Sequence, residues 1–422
     1  MTADAARTAV LADIARRIPG RQNPTRRLLW FALMAVGVLS FVFLLWKEPV
    51  RAWGTFGANM VFFEGVSIGA AVLACSIRLG NGRWAGPVTR IAEGLSSYLP
   101  YGLGALLVML IAGIWTYLPW THHVLERQRP YLNVPFLWVR TLAGFGLLWW
   151  LITRLVRVSL RRDAWLLRDH VAPELRPHYE KLAANWRGDD AEATLERNQL
   201  AMLSPQIVVA FAFVFTVFAW DFIMALSPSW ASGLFGWWVF MGAYLNGICM
   251  TAFIAVQLRA RRGLEAWITP NHFWDIGKLI FGFSIFWVYE FWAQYLVIWY
   301  ANIPDESWWV FLRFEQPWRP IAFAVFIMVF ALPFLGLMNM YTKKSPVWLT
   351  AFAVVIMAGM WLERHLLVMP SFSPNHLWIG LPEIGVMLGF LGMFGFAVSG
   401  FFARWPAVRV TDVLAGEGAH GH

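Results

Sequence analysis

LLWFALMAVGVLSFVFLLW, from Leu28 to Trp46, runs nineteen residues without a charge. A helix of that length, rising about 1.5 Å per residue, is about 30 Å long, the thickness of a bilayer's hydrocarbon core. No water reaches a backbone amide at that depth, so the chain must satisfy its own amides by forming a helix.

Working outward, nine further apolar blocks follow the same logic, at 52–77, 98–118, 133–155, 206–227, 233–257, 275–300, 319–340, 347–367 and 380–403. The predicted fold is therefore an all-α integral membrane protein with ten spans. Composition agrees: of 422 residues, 59% are hydrophobic and only 14% charged, too few to coat a soluble surface of this size. The polar remainder divides the chain into an arm at 1–27, a transmembrane domain at 28–403 with a polar loop at 157–205, and a tail at 404–422. The arm, TADAARTAVLADIARRIPG, reads as a basic amphipathic helix on the membrane surface, stopped by Pro19-Gly20. It carries no cleavage pattern, so 28–46 reads as an uncleaved anchor. Within the loop, APELRPHYEKLAANWRG and AEATLERNQLAML read as short surface helices.

The net charge of +9 does not point to nucleic acid, because the basic residues lie between spans. Twenty-five of the 34 lysines and arginines fall on the side of the two termini and seven on the other; Arg140 and Lys278 lie within spans. That asymmetry predicts both termini in the cytoplasm. Trp30, Trp46, Trp299, Trp308 and Trp309 sit at span ends, as an interfacial aromatic belt does. Cys75 and Cys249 lie inside apolar blocks and read as small buried hydrophobes. There is no C-x-x-C-H, no cysteine cluster, no GxxxxGK and no facing pair of mid-span histidines. The chain thus has no redox cofactor or metal motif of its own, and any electron transfer runs through partners or a diffusible quinone.

Charges inside spans are costly and either functional or paired. Glu64 falls near the middle of the second span, Arg140 in the fourth, Asp221 in the fifth and Glu290 in the seventh. Asp275 and Lys278 open the seventh span beside His272; Glu363, Arg364 and His365 close the ninth; Glu383 begins the tenth. Bland readings stand beside the functional one. Asp275 and Lys278, three apart, suit an ion pair; Gln294 can bond Glu290 one turn away. Asp221 can bond a neighbouring helix, and Glu363 and Arg364 can snorkel to the interface. The functional reading is a proton path from Asp275 and Lys278 through Glu64 to Asp221, Glu290, Glu363 and His365, with Arg140 and Glu383 as candidates for quinone contact.

Three stretches carry a resemblance: RWAGPVTRIAE (Arg83 to Glu93), DFIMALSPSWASGLFG (Asp221 to Gly236) and NHFWDIGKLIFGFSIFWVYEFWAQYLVIWYANIPDE (Asn271 to Glu306). Over roughly residues 30 to 400 the chain resembles the NrfD-like, polysulfide-reductase-type membrane subunits, and among them the smaller, ActF-type subunit of bacterial alternative complex III. That resemblance implies two four-helix bundles, spans two to five and six to nine, flanked by the first and last helices. It implies a place in a quinol:cytochrome c oxidoreductase of the bacterial inner membrane, oxidising menaquinol or ubiquinol. Its implied partners are multihaem and monohaem cytochrome c subunits, an iron–sulfur subunit, a larger NrfD-like paralogue and a haem-copper oxidase, which would hold the haem c and iron–sulfur clusters. Within such a complex the smaller subunit is expected to supply a proton half-channel and scaffold. The turn after the fifth span, Ala225 to Trp230, lacks the acid and histidine that the family often carries there, and Glu290 stands where an apolar residue is usual. The competing readings are a direct quinone-binding subunit, a secondary transporter and a passive anchor.

Overall fold

A computed structural model describes residues 3–124 and 126–416, the side chains of residues 3, 4 and 83 excepted. The end of the expected tail, 417–422, lies outside these. Among the described residues every regular element is helical, and ten helices are long and apolar enough to cross a membrane. A short helix α1 (Ala3–Arg16) precedes them. The ten are α2 (Pro24–Lys47), α3 (Pro49–Leu79), α4 (Gly86–Tyr117), α5 (Val134–Leu167), α6 (Asp189–Leu226), α7 (Phe235–Arg262), α8 (Pro270–Ala301), α9 (Arg319–Gly336), α10 (Pro346–Ser371) and α11 (Leu381–Arg404). The chain is a multi-pass membrane protein.

Every apolar block forms a helix, but several helices outrun their blocks. α4 starts at Gly86, well before residue 98, because GPVTRIAEGL is buried on all sides and needs no lipid to be helical. The AEATLERNQLAML segment is no separate surface helix. It is the first part of α6, which runs without interruption through Pro205 into the apolar block. APELRPHYEKLAANWRG supplies one short helix, Arg176–Leu182. Hydropathy marks where a helix enters lipid, and has nothing to say about where its hydrogen bonds begin.

The arm also departs from expectation. Leu11, Ile14 and Ile18 are buried against the protein, and α1 packs on α5 and on the C-terminal helix Val410–Leu414. Its apolar positions are covered by the chain itself rather than left for lipid. Arg17 clamps it further, donating to the carbonyls of Arg262 and Gly263. The first and last described helices therefore meet on one face of the molecule.

The centre is α3, almost wholly buried, with α4, α6, α7, α10 and α11 around it. Small residues let the backbones approach closely, as membrane helices do where hydrophobic driving force is absent. A Cβ on Gly69 would lie 2.2 Å from the Ala243 carbonyl oxygen, and one on Gly247 would lie 2.3 Å from the Ala70 nitrogen, so α3 and α7 touch backbone to backbone. Gly37 and Gly389 join α2 to α11 in the same way. Farther out, α8, α9 and α10 pack on one another, and α8 has α7, α10 and the short helix Met340–Lys344 as its main neighbours.

Candidate functional site

Polar residues mark α3 from end to end. At its start the Arg51 guanidinium grips Glu383 of α11, with Nε–Oε1 at 2.6 Å and Nη2–Oε2 at 3.2 Å. One turn on, Thr55 Oγ1 donates to the Arg51 carbonyl (2.8 Å), and Asn59 Nδ2 donates to the Thr55 carbonyl (2.9 Å). Asn59 Oδ1 accepts from Trp361 Nε1 of α10 at 2.9 Å, and His365 Nδ1 donates back to the Trp361 carbonyl at 3.0 Å. His365 Nε2 is buried and has no partner among the described residues.

Glu64 follows five residues after Asn59. It is 1% exposed, and among the described residues neither carboxyl oxygen has a hydrogen-bond partner. Its carboxyl lies on Gly102 of α4, where a Cβ would come 2.0 Å from Oε1. The Tyr98 ring of α4, with an unpartnered hydroxyl, lies within electrostatic reach of it. Nothing among the described residues takes the place of the water this carboxyl would have in solution. Asn246 of α7 has both side-chain polar atoms buried and unpartnered as well.

Below Glu64, Ser67 Oγ donates to the Leu95 carbonyl at 3.1 Å. The helix then enters a buried charge cluster. Arg78 and Arg90 both grip Glu93; Arg90 Nη2 reaches Asp163 Oδ2 of α5 at 2.7 Å and the Ser159 carbonyl at 2.8 Å. Ser159 Oγ donates to Glu93 at 3.0 Å. The C-terminal segment closes the cluster: Arg409 meets Glu196 of α6 at 2.5 Å and Asp412 at 3.2 Å, and the Thr411 amide donates to Asp163 at 3.3 Å. Burial works against the Arg409 guanidinium's charge, but the surrounding Asp412, Glu196, Glu93 and Asp163 carboxylates outweigh it and push its pKa up. The sequence reading missed this cluster, although Arg90 and Glu93, three apart inside RWAGPVTRIAE, carried its signal.

The other sequence candidates fall into separate places. Arg140 and Asp221 form a two-pronged ion pair, both N–O distances 2.7 Å, with Tyr131 and Phe136 against the guanidinium. Asp275 and Lys278 pair at 2.6 Å near the start of α8, a helix that does not have α3 among its main neighbours. The structure does not bring that pair to Glu64; the charges that continue α3 are Arg78, Arg90, Glu93 and Asp163. Glu363 and Arg364 do not snorkel. Both are about 1% exposed or less, paired to each other at 3.0 Å, with Arg364 Nη2 donating to the Val239 carbonyl. Glu290 and Gln294 are buried without bonding each other among the described residues, each with one unpartnered oxygen. No group of three His, Cys, Asp or Glu is placed to hold a metal among the described residues.

Glu363 and Gln294 border a cavity of about 240 Å³ between α7, α8, α9, α10 and the helix Pro304–Phe314. Trp238, Trp287, Phe291, Trp309 and Phe326 make its walls aromatic. Arg313, also at its edge, is fully buried with its charge centre 3.3 Å from the centroid of the Trp309 ring; Nη1 and Nη2 donate to the Trp309 and Leu367 carbonyls, and no carboxylate pairs with it among the described residues. Burial alone pushes its pKa down. Compared with known proteins, the chain matches no family model and no curated protein.

Proposed function

We propose that the chain is an integral subunit of a quinol-oxidising respiratory complex of the bacterial inner membrane, of the NrfD-like, ActF type, and that it conducts protons along α3. The termini would face the cytoplasm, and spans two to five and six to nine would form the two four-helix bundles. The redox groups would sit in the partners: multihaem and monohaem cytochrome c, an iron–sulfur subunit, a larger NrfD-like paralogue and a haem-copper oxidase.

The observation that carries the reading is Glu64. A purely structural carboxyl deep in a helix bundle is expected to be paired, as Glu93, Asp163, Asp221, Glu363 and Glu383 all are. Glu64 and Glu290 are the buried acids with neither an ion pair nor a hydrogen bond among the described residues, and of the two only Glu64 has both carboxyl oxygens buried and unpartnered. A carboxyl with no competing bond is free to take and return a proton. The Arg78–Glu93 cluster places charged groups at one end of α3, and Asn59, Trp361 and His365 place polar atoms toward the other.

The test has two parts. Gentle purification of the tagged chain, with mass spectrometry and haem staining, should bring down the cytochrome c, iron–sulfur and larger NrfD-like subunits; a chain that elutes alone removes the complex from the reading. In the purified complex Glu64→Gln should leave assembly intact and depress proton-coupled quinol oxidation. Unchanged turnover and proton release would refute the path.

A second reading, that the chain itself binds quinone, is favoured by the aromatic cavity at Glu363. Its flat indole and phenyl walls suit a planar ring, and Gln294 and Glu363 supply a polar edge. Arg140 and Glu383 support this reading less, since each is committed to an ion pair.

A further inference from the structure

A second cavity, of about 600 Å³, lies on the face where the first and last described helices meet, between the start of α2, the end of α7 and the last turns of α11. That size is within the range of specific ligand pockets. Its two halves differ in chemistry. The deep half is apolar, walled by Trp30, Phe253, Ile254, Leu391, Phe394 and Val398. The rim carries Arg26, Arg261 and Arg262, with Arg21 beside them, and among the described residues no acidic one borders the cavity.

The rim arginines are poorly neutralised. Arg21 makes an outward pair with Glu174, but among the described residues Arg26, Arg261 and Arg262 form no ion pair. The Arg26 charge lies close enough to oppose that of Arg262. Arg262 is nonetheless held in place, Nη2 donating to the Phe402 carbonyl at 2.6 Å while its own carbonyl accepts from Arg17. Gln22 is fixed too, Nε2 donating to the Phe396 carbonyl at 2.9 Å. In the wall, Trp30 lies flat on Gly395, where a Cβ would meet its ring at 2.6 Å, and its buried Nε1–H has no acceptor among the described residues. Like charges gathered at fixed positions above an apolar slot call for one kind of occupant, an anion that carries hydrocarbon.

We propose that this cavity is a specific site for an anionic phospholipid of the leaflet on the side of the termini, with its phosphate among Arg26, Arg261 and Arg262 and an acyl chain along the Trp30–Phe394 wall. Basic pockets between membrane helices recognise anionic headgroups by this combination of charge and depth. The site is independent of the proton path and of the aromatic cavity.

The test uses the full chain, with whatever partners accompany it, in mild detergent. Native mass spectrometry and lipid extraction should find an anionic phospholipid retained after delipidating washes. Rebinding is then titrated with phosphatidylglycerol or cardiolipin, with phosphatidylcholine of the same chains, and with inorganic phosphate. Anionic lipid should bind at least about tenfold tighter than either comparator. Arg26→Gln/Arg261→Gln, which leaves the Arg262–Phe402 contact intact, should weaken it by about twentyfold or more. Ile254→Trp, which fills the apolar half and leaves every arginine, should also abolish retention. Equal binding of phosphatidylcholine, equal competition by inorganic phosphate, or undiminished retention in both variants would overturn the proposal. So would a photocrosslink from position 254 that captures a partner protein instead of lipid.

Discussion

Arg140 and Asp221, eighty-one residues apart in sequence, meet as a two-pronged ion pair, and the two helices that carry them, α5 and α6, are pinned at that depth. Each residue alone suggested a separate task, a quinone contact for Arg140 and a proton step for Asp221. Together they neutralise each other, and breaking the pair leaves a buried charge without a partner. Arg140→Gln or Asp221→Asn should therefore destabilise the protein by about 3–5 kcal/mol, while Arg140→Met/Asp221→Leu should recover most of the loss. Thermal unfolding followed by size-exclusion fluorescence measures all three; equal melting of singles and wild type would show the pair to be idle.

Glu64→Gln preserves volume and removes titration. Proton-coupled turnover of the complex should fall by about 100-fold, the usual scale for losing a positioned acid–base group. Unfolding temperature should stay close to that of the wild type, since the amide keeps the side chain's volume and shape.

Two glycines of α4, Gly102 and Gly104, separate packing from composition. Gly102→Ala would drive a methyl into the Glu64 carboxyl, whereas a methyl at Gly104 meets nothing within 4 Å. Gly102→Ala should impair turnover and stability together. Gly104→Ala should be neutral or slightly stabilising, as alanine is the better helix former. Matched behaviour of the two variants would mean the Glu64–Gly102 contact is unimportant.

Filling the aromatic cavity tests the second functional reading directly. Ala322 lines it and is buried, so Ala322→Phe should occupy much of the space between Trp309 and Phe326. If quinone binds there, a quinone analogue should raise the melting temperature of the wild type and not of the variant. An equal shift in both would place the ligand elsewhere, and no shift in either would leave the cavity as packing.

Arg409 holds the C-terminal helix to α6 through Glu196. Its pKa is raised by folding, so its contribution is present at every pH below the ordinary arginine range and is lost only as pH climbs through the folded value. Arg409→Gln should therefore free the tail equally at pH 6 and pH 8, read as faster proteolytic cleavage near Val410. Cleavage unchanged from wild type at both values would show that other contacts suffice.

The ten membrane helices were legible because each is a long block in which charges are few, and one-dimensional hydropathy is enough to find such blocks. Pairing was not legible. Arg90 and Asp163 are seventy-three residues apart, and nothing local distinguishes Asp163 from a solvated acid of a polar loop. The same limit hid the arm. Leu11, Ile14 and Ile18 make an apolar face that sequence assigns as readily to lipid as to protein, and only the opposing surface decides. Asp275–Lys278 was readable as an ion pair because its partners lie within one helical turn. Its link to Glu64 required knowing which helices are neighbours.

The backbone contact of α3 with α7 has a mechanical consequence. Where Gly69 meets Ala243 and Gly247 meets Ala70, no layer of side chains lies between the helices to act as a bearing. Rocking one half of the molecule against the other, which alternating access demands, would have to tear this seam open. The two helices are thus geared to move as one block.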